Sequence, residues 1–180
     1  MALVPLLVRV ATVFDKDEPV DHALGRSKGG FGTKLHLLCD AQGLPLSALL
    51  LPSQAHESTQ FEALLETVSI ERQTSGRRRK RPQRVAADKA YHAHRIRHWL
   101  HSHGIQAVIP PRKIRRTKPR PGRPISYDQC FYRDRNVIER CVGWLKECRS
   151  VATRYEKLAV NYLQLVKLAF IERYLRLLMP

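Results

Sequence analysis

The segment YRDRNVIERCVGWLK, residues 132–146, sets one acid among basic side chains at spacings that suit chemistry on an anion. On a helix with 3.6 residues per turn, Tyr132, Arg135, Glu139 and Lys146 fall within an arc of about 60°. The apolar side chains of the segment occupy the neighbouring arc, which is typical of a helix packed on a core. The simpler interpretation is a solvated helix face, on which the Arg135/Glu139 pair contributes roughly 0.2–0.5 kcal/mol.

A second acid, Asp88, ends the run RVAAD, which predicts a short strand over residues 84–88. An acid in this place is ordinarily a helix N-cap or a turn residue. The carboxyl ends of strands in α/β sheets also hold ligands and ions, and Mg²⁺ prefers carboxylate oxygens. Asp88 and Glu139 are therefore predicted to bind metal together for phosphodiester cleavage, with Arg135 and Lys146 on the phosphates of DNA.

The charge of the chain is strongly positive, with 32 Lys+Arg against 16 Asp+Glu and a net charge of +16. Nucleic acid is the polyanion that such a field most often serves. A membrane partner is excluded, because no segment is typical of a cationic amphipathic anchor and the N-terminal apolar run is too short to span a bilayer. Two basic segments, residues 77–84 and 111–123, are either solvated tails or contacts to the DNA backbone. The second interpretation assigns DNA binding to Arg78, Arg79, Lys80, Arg115, Arg116 and Lys118.

Cysteines and histidines give weaker metal signals. The cysteines lack a CxxC pair, which favours reduced thiols in a cytosolic protein over zinc ligation. His94 and His98 have the i,i+4 spacing of zinc ligands, but an exposed basic helix is the simpler interpretation. His56 and Glu57 are interpreted as a loop before a helix that Ser58 or Thr59 caps.

The order of predicted elements is typical of a mixed sheet flanked by helices. TKLHLLC and LPLSALLLP enclose the turn DAQG, which predicts a β-hairpin. Further short strands are predicted over 84–88 and 105–111, and helices over 57–70, 92–104 and most of 130–178. No strand is assigned to the N-terminal apolar run. The order β-β-α-β-α-β-α defines an α/β fold built on one sheet.

The spacing Tyr132-x2-Arg135-x3-Glu139-x6-Lys146 resembles the Tyr-Arg-Glu-Lys signature of insertion-sequence transposases with a DDE active site. GRSKGGFGTKLHLLCDAQGLPL, VAADKAY and ERCVGWLKECRSVATRYEKLA resemble the insertion-sequence-five group in particular, from about residue 21 to the C-terminus. The resemblance implies an RNase H-like fold and metal-dependent cleavage and strand transfer, with two Mg²⁺ or Mn²⁺ ions in a complete enzyme. It also implies double-stranded DNA as partner, as transposon ends and target, with a homo-oligomer on that DNA and a cytoplasmic, nucleoid-associated location.

Carried over residue by residue, the resemblance makes Asp88 and Glu139 the second and third catalytic carboxylates. Tyr132, Arg135 and Lys146 are the signature positions that support binding of the DNA ends.

The N-terminal segment departs from the family pattern. The family's first catalytic Asp precedes a Ser or Thr on the first strand, whereas here Asp15 is followed by Lys16, and Asp40 falls in the predicted hairpin turn. We therefore expect an atypical segment over residues 1–20 and a partial DDE domain over 21–180, incomplete at its first strand. Such a chain is a truncated copy without the first catalytic Asp and without the family's helical N-terminal region. Two functions stay open: a transposase catalytic domain, or an incomplete fragment that binds DNA without cutting it.

Overall fold

The computed structural model describes residues 2–12, 22–28, 30–71, 76–112 and 125–179. The strands are β1 Ala2–Thr12, β2 Gly25–Ser27, β3 Gly30–Asp40, β4 Pro45–Pro52, β5 Arg84–Ala86, β6 Gln106–Val108 and β7 Thr153–Arg154. The α-helices are α1 Phe61–Glu66, α2 His94–Ser102, α3 Gln129–Arg133, α4 Val137–Glu147, α5 Arg149–Ala152 and α6 Ala159–Leu178. Short 3₁₀ helices span Glu57–Gln60, Lys89–Tyr91 and Asp134–Asn136. No helix in these ranges combines the length and apolar character of a bilayer span.

The described strands form one mixed sheet with the order β2-β3-β1-β5-β6, in which β4 also pairs with β3 and β7 with β1. The ladder between β1 and β3 is antiparallel and runs from Leu3 opposite Asp40 to Ala11 opposite Gly32. The contacts of β1 with β5 and β7 are parallel and short. The predicted class, a mixed α/β sheet flanked by helices, is confirmed.

The N-terminal run forms the central strand β1, so the absence of a strand there in the sequence-based interpretation is wrong. Leu3 is buried in the core on one face of the sheet and Val4 in the core on the other. A strand that is buried on both faces is a continuous apolar run. It lacks the alternation of apolar and polar residues by which strands are predicted from sequence. The domain was expected to be incomplete at its first strand, and the presence of β1 corrects that expectation. None of the residues of β1 is an acid.

Two apolar cores cover the two faces of the sheet. On one face, Ile138 of α4 and Val166 of α6 pack with Val8 of β1. On the other, Leu100 of α2 packs with Leu3, together with residues of α1 and β5. The apolar residues that recur with the helical period in these segments form the buried faces of the helices.

The turn between β3 and β4 lies against the first residue of α4. Asp40 Oδ1 accepts hydrogen bonds from the Gln42 N–H at 2.9 Å and the Leu44 N–H at 2.8 Å, so Asp40 is the turn residue that the sequence predicts. Gly43 has a φ of +82°, and a Cβ there would lie 3.2 Å from the Val137 carbonyl oxygen. The hairpin therefore fixes the start of α4 through a contact that only glycine allows.

A buried cation joins segments that lie far apart in the sequence. The Arg154 side chain has no exposed surface. Its Nε donates to the Glu156 carbonyl at 2.9 Å, and its Nη2 donates to the Lys157 carbonyl at 2.6 Å. Its Nη1 donates to the His22 carbonyl at 2.8 Å and to Thr33 Oγ1 at 2.6 Å. One guanidinium thus holds β3, the segment before β2 and the loop before α6 together.

We expect Arg154→Met to lower the free energy of unfolding by at least about 3 kcal/mol, because buried acceptors lose a charged donor. Urea unfolding followed by circular dichroism measures the change. Arg149→Met, at an exposed position of α5, is the matched control and is expected to change the value by less than about 0.5 kcal/mol. Equal effects of the two substitutions would contradict a structural role for Arg154.

Candidate functional site

The structure brings three of the four signature residues together. Tyr132 lies on α3, Arg135 on the 3₁₀ helix that follows it, and Glu139 on α4. The Arg135 guanidinium carbon lies 5.7 Å from the centroid of the Tyr132 ring, and Nη1 lies 3.5 Å from Glu139 Oε1. The aromatic ring and the carboxylate therefore bracket the guanidinium.

The start of this helical run is attached to β5, the strand that leads to Asp88. Arg84 Nη1 lies 3.5 Å from Asp128 Oδ2, and the Arg84 guanidinium lies 5.4 Å from the centroid of the Phe131 ring. Asp128 also caps α3, because its Oδ1 accepts the Phe131 N–H at 2.9 Å. These contacts hold the helical run, and with it the signature residues, beside the sheet.

The Arg135/Glu139 pair by itself contributes little to stability. The Glu139 side chain is 48% exposed, and water screens an ion pair at that exposure. Such a pair contributes roughly 0.3–0.5 kcal/mol on a helix. For stability, the interpretation of the pair as part of a solvated helix face therefore holds. A function of the pair must be judged from the residues around it.

A cavity of about 330 Å³ opens beside Arg135. Arg133, Arg135 and Arg140 line it together with Asn136 and with Asp134, while Val4 and Ala86 contribute apolar wall. Three guanidinium groups against one carboxylate leave a net positive lining. The cavity has the donors that phosphate oxygens require.

Lys146 is separate from this cavity. It lies at the other end of α4 and lines a narrow recess with Val8 and Val10 of β1. The cavity beside Arg135 is lined by Val4 instead. Arg135, just before α4, and Lys146, near its end, therefore lie over opposite halves of β1.

Asp88 follows β5 and caps the 3₁₀ helix Lys89–Tyr91. Its Oδ1 accepts the Ala90 N–H at 2.7 Å, which is the ordinary N-cap role that the sequence leaves open. The residue is half-buried. The cap fixes the carboxylate at the end of β5.

Glu57 is an acidic neighbour of Asp88 that sequence reasoning set aside. Burial raises the pKa of Glu57, and the negative charge of Asp88 raises it further, while Lys34 and His56 oppose the shift. The predicted caps of this turn are also corrected: His56 Nδ1 accepts the Ser58 N–H at 3.3 Å, so His56 is the cap. No sequence spacing links residues 57 and 88, and only the packing of the two 3₁₀ helices brings them together.

A buried polar pair anchors the segment that carries Asp88. Tyr91 Oη lies 2.9 Å from His36 Nε2 of β3, and the two rings stack with centroids 5.8 Å apart. Burial lowers the pKa of His36 to about 4, so the imidazole is neutral at pH 7. Burial also raises the pKa of Tyr91. The pair ties the 3₁₀ helix after β5 to the middle of β3.

The described residues do not by themselves complete the two-ion site that the resemblance implies. In residues 2–12, 22–28, 30–71, 76–112 and 125–179, no three His, Cys, Asp or Glu side chains converge as metal ligands. β1 separates the strand of Asp88 from β3 and contains no carboxylate. Asp15, the acid nearest to its end in sequence, lies outside the described residues. The convergence of Asp88 and Glu139 on one cation stays a prediction.

The first basic segment is only partly free for a ligand. Arg78 forms an ion pair with Glu71, and Arg79 pairs through its backbone with Ile70 at 2.8 and 3.0 Å. Lys80 lines a recess with Arg81. The second group of predicted DNA contacts, Arg115, Arg116 and Lys118, lies outside the described residues.

The remaining candidate ligands form no metal site among the described residues. His94 and His98 are exposed, with rings stacked at a centroid separation of 6.3 Å, as an exposed basic helix predicts. The four cysteines are free thiols, and burial raises the pKa of Cys141 to about 11. The prediction of reduced thiols is consistent with these free cysteines.

Fold and sequence together define the class of protein. The chain matches the transposase DDE domain family over residues 12–171, and it belongs to that family. Its relatives include a putative transposase for the insertion sequence element IS402 of Burkholderia cepacia, 32% identical over 128 residues. That match covers 71% of this chain and 56% of the relative, so the chain spans little more than half of the relative's length. A putative transposase for the element IS6501 of Brucella ovis is 31% identical over 145 residues, 80% of this chain and 98% of the relative. No solved structure gives a significant match.

We expect His36 to make the stability of the fold depend on pH. Its pKa is depressed from 6.5 to about 4 in the folded chain. As pH falls below 6.5, the unfolded chain therefore binds the proton first, and up to about 3 kcal/mol is lost by pH 4. Urea unfolding at pH 7 and pH 4.5 should show a smaller loss for His36→Gln than for the parent. The control His101→Gln, at an exposed site, should lose as much unfolding free energy between the two pH values as the parent does. Equal losses for all three proteins would refute the role of His36 in this pH dependence.

Proposed function

We propose that this chain is a transposase domain of the insertion-sequence-five group that binds double-stranded DNA at the element's ends and at a target. The observation that carries the proposal is the cavity lined by Arg133, Arg135 and Arg140, next to Tyr132, in a chain of net charge +16. Guanidinium groups bind phosphate oxygens with two parallel hydrogen bonds. Both relatives carry the name of transposases for insertion sequence elements, which supports DNA as the substrate.

Three signature side chains have distinct roles in the proposed interface. Arg135, stacked on Tyr132, presents a preorientated guanidinium to the phosphates of an end. Lys146 acts as a point charge further along α4. The basic segments around Arg78, Arg79 and Lys80 and around Arg115, Arg116 and Lys118 add contacts to the DNA backbone that are independent of sequence.

For cleavage and strand transfer we propose Asp88 and Glu139 as the second and third carboxylates of a DDE site that takes Mg²⁺ or Mn²⁺. The second candidate function is DNA binding without cutting. One observation favours it for this chain: the central strand β1, which runs beside the strand of Asp88, contains no acid. Residues 21–180 then act as a partial catalytic domain that follows an atypical segment over residues 1–20. The proposed place of action is the nucleoid in the cytoplasm, where the DNA is.

We expect DNA binding that is nearly independent of sequence and weakens steeply with salt, because each phosphate contact releases counterions. A fluorescence anisotropy titration of duplex DNA at several salt concentrations measures the slope of log K against log salt. Arg135→Ala should weaken binding and reduce that slope by about 1. The exposed control Arg149→Ala should leave both nearly unchanged. Affinity that does not vary with salt, or a strong preference for one sequence, would contradict the proposed interface.

We expect little or no nicking of the element's end DNA by this chain in Mg²⁺ or Mn²⁺, because the described residues bring no third carboxylate to the proposed pair. Labelled end DNA resolved on a denaturing gel measures nicking, and anisotropy measures binding in the same buffer. Glu139→Gln should bind DNA as the parent does. Robust nicking that is lost in Asp15→Asn would show instead that Asp15 completes the site, and nicking that is lost in Glu139→Gln would support the full catalytic function.

A further inference from the structure

The C-terminal helix α6 has apolar side chains on two opposite faces. One face, which includes Tyr162, Val166 and Phe170, is buried against the sheet. The other face carries Leu168, Ile171, Leu175 and Leu178, which are 59%, 54%, 45% and 77% exposed. We call these four residues the outer stripe. A surface helix of a monomer is normally polar on the side away from its core, so the outer stripe indicates an interaction surface.

The spacing of the outer stripe is that of a coiled coil. Its members follow one another at intervals of three, four and three residues. They lie within about 80° of the helix circumference, opposite the buried face. Asn161 and Gln164 continue the same register towards the start of the helix with polar side chains. The register therefore assigns alternating a and d positions to residues 161–178.

We propose that the outer stripe docks on the outer stripe of a second copy of this chain, with the two α6 helices parallel. In this register, Lys167 occupies a g position and Glu172 the following e position. Parallel packing places each Lys167 beside the Glu172 of the second copy. Within its own helix, Glu172 also pairs with Arg176 at 2.6 Å, so that its charge is partly balanced. Antiparallel packing centred on the stripe places Lys167 opposite the end of the second helix, where it loses the contact with Glu172. The charges flanking the stripe thus fit the parallel pair.

The segments of this chain that lie outside the described residues do not suit the outer stripe. They include VFDKDEPV (13–20), RQTS (72–75) and KIRRTKPRPGRP (113–124). The last two have no apolar run at all, and the first is interrupted by four charges and a proline. A second copy, in contrast, offers an apolar stripe of the same length. Self-complementarity of this kind is the property of a two-fold symmetric interface.

The contact is small. From Leu168 to Leu178 the stripe is about 15 Å long at 1.5 Å per residue. It therefore provides less than the roughly 800 Å² per partner of a standard interface. The dimer forms at high protein concentration and dissociates on dilution.

Sedimentation velocity of the parent chain over a hundredfold range of concentration tests the proposal. The parent is expected to shift from monomer to dimer, and Ile171→Glu with Leu175→Glu is expected to stay monomeric. Leu177→Glu is the matched control, because Leu177 is also exposed, at 54%, but lies outside the stripe. It should dimerise as the parent does. A parent that is monomeric throughout, or a dimer that the double substitution leaves intact, overturns the proposal.

Two further variants test the parallel arrangement. In a Cys130→Ser background, which removes the exposed native thiol, Leu175→Cys should form a disulfide-linked dimer under mild oxidation, because residue 175 then faces its own copy. Leu177→Cys should not. Lys167→Glu should raise the dissociation constant severalfold, and adding Glu172→Lys should restore it. Cross-linking at residue 177 rather than 175, or no effect of the charge reversal, overturns the parallel pairing.

Discussion

The fold depends on a charge that has been removed from water. Arg154 occupies a fully buried position, and burial of a guanidinium is tolerated only when its donors are satisfied. Backbone carbonyls before β2 and before α6, together with the Thr33 hydroxyl, supply acceptors. Because these acceptors come from distant parts of the sequence, the network forms only when the sheet is assembled. The network therefore links the position of the segment before β2 to that of the loop before α6.

Local patterns were sufficient to predict the elements whose environment is one-sided. Helix α4 has one face in water, so its period is visible in the sequence, and the hairpin is marked by its Asp40 turn although β3 is buried on both faces. β1 is buried on both sides and shows no period, and β7 is only two residues long. Short strands such as β7 exist because a neighbour offers a ladder, so the sequence of the strand alone does not specify them.

The residue types of the site could be predicted from the sequence, but the residues that contact them from distant parts of the chain could not. The helical spacing places Arg135 near both Tyr132 and Glu139, and the structure shows these contacts. The approach of Glu57 to Asp88 and the pairing of His36 with Tyr91 cross large sequence separations. The first arises from the packing of two 3₁₀ helices, and the second from the packing of the 3₁₀ helix after β5 against β3. The burial of His36 has no sequence signal, because alternation places it on the same face as Lys34, opposite Leu35 and Leu37.

The ladders of the sheet are very unequal, and this has a mechanical consequence. β1 and β3 share nine residue pairs, whereas β1 and β5 share two. Glu139 is carried by α4, which packs on the long ladder, and Asp88 is carried by the layer of β5, β6 and α2, which joins at the short one. Backbone amides of that layer should consequently exchange with solvent faster than those of β3. The separation of the two carboxylates therefore depends on how this layer is held against the rest of the sheet, by the short ladder with β1 and by the Tyr91–His36 pair.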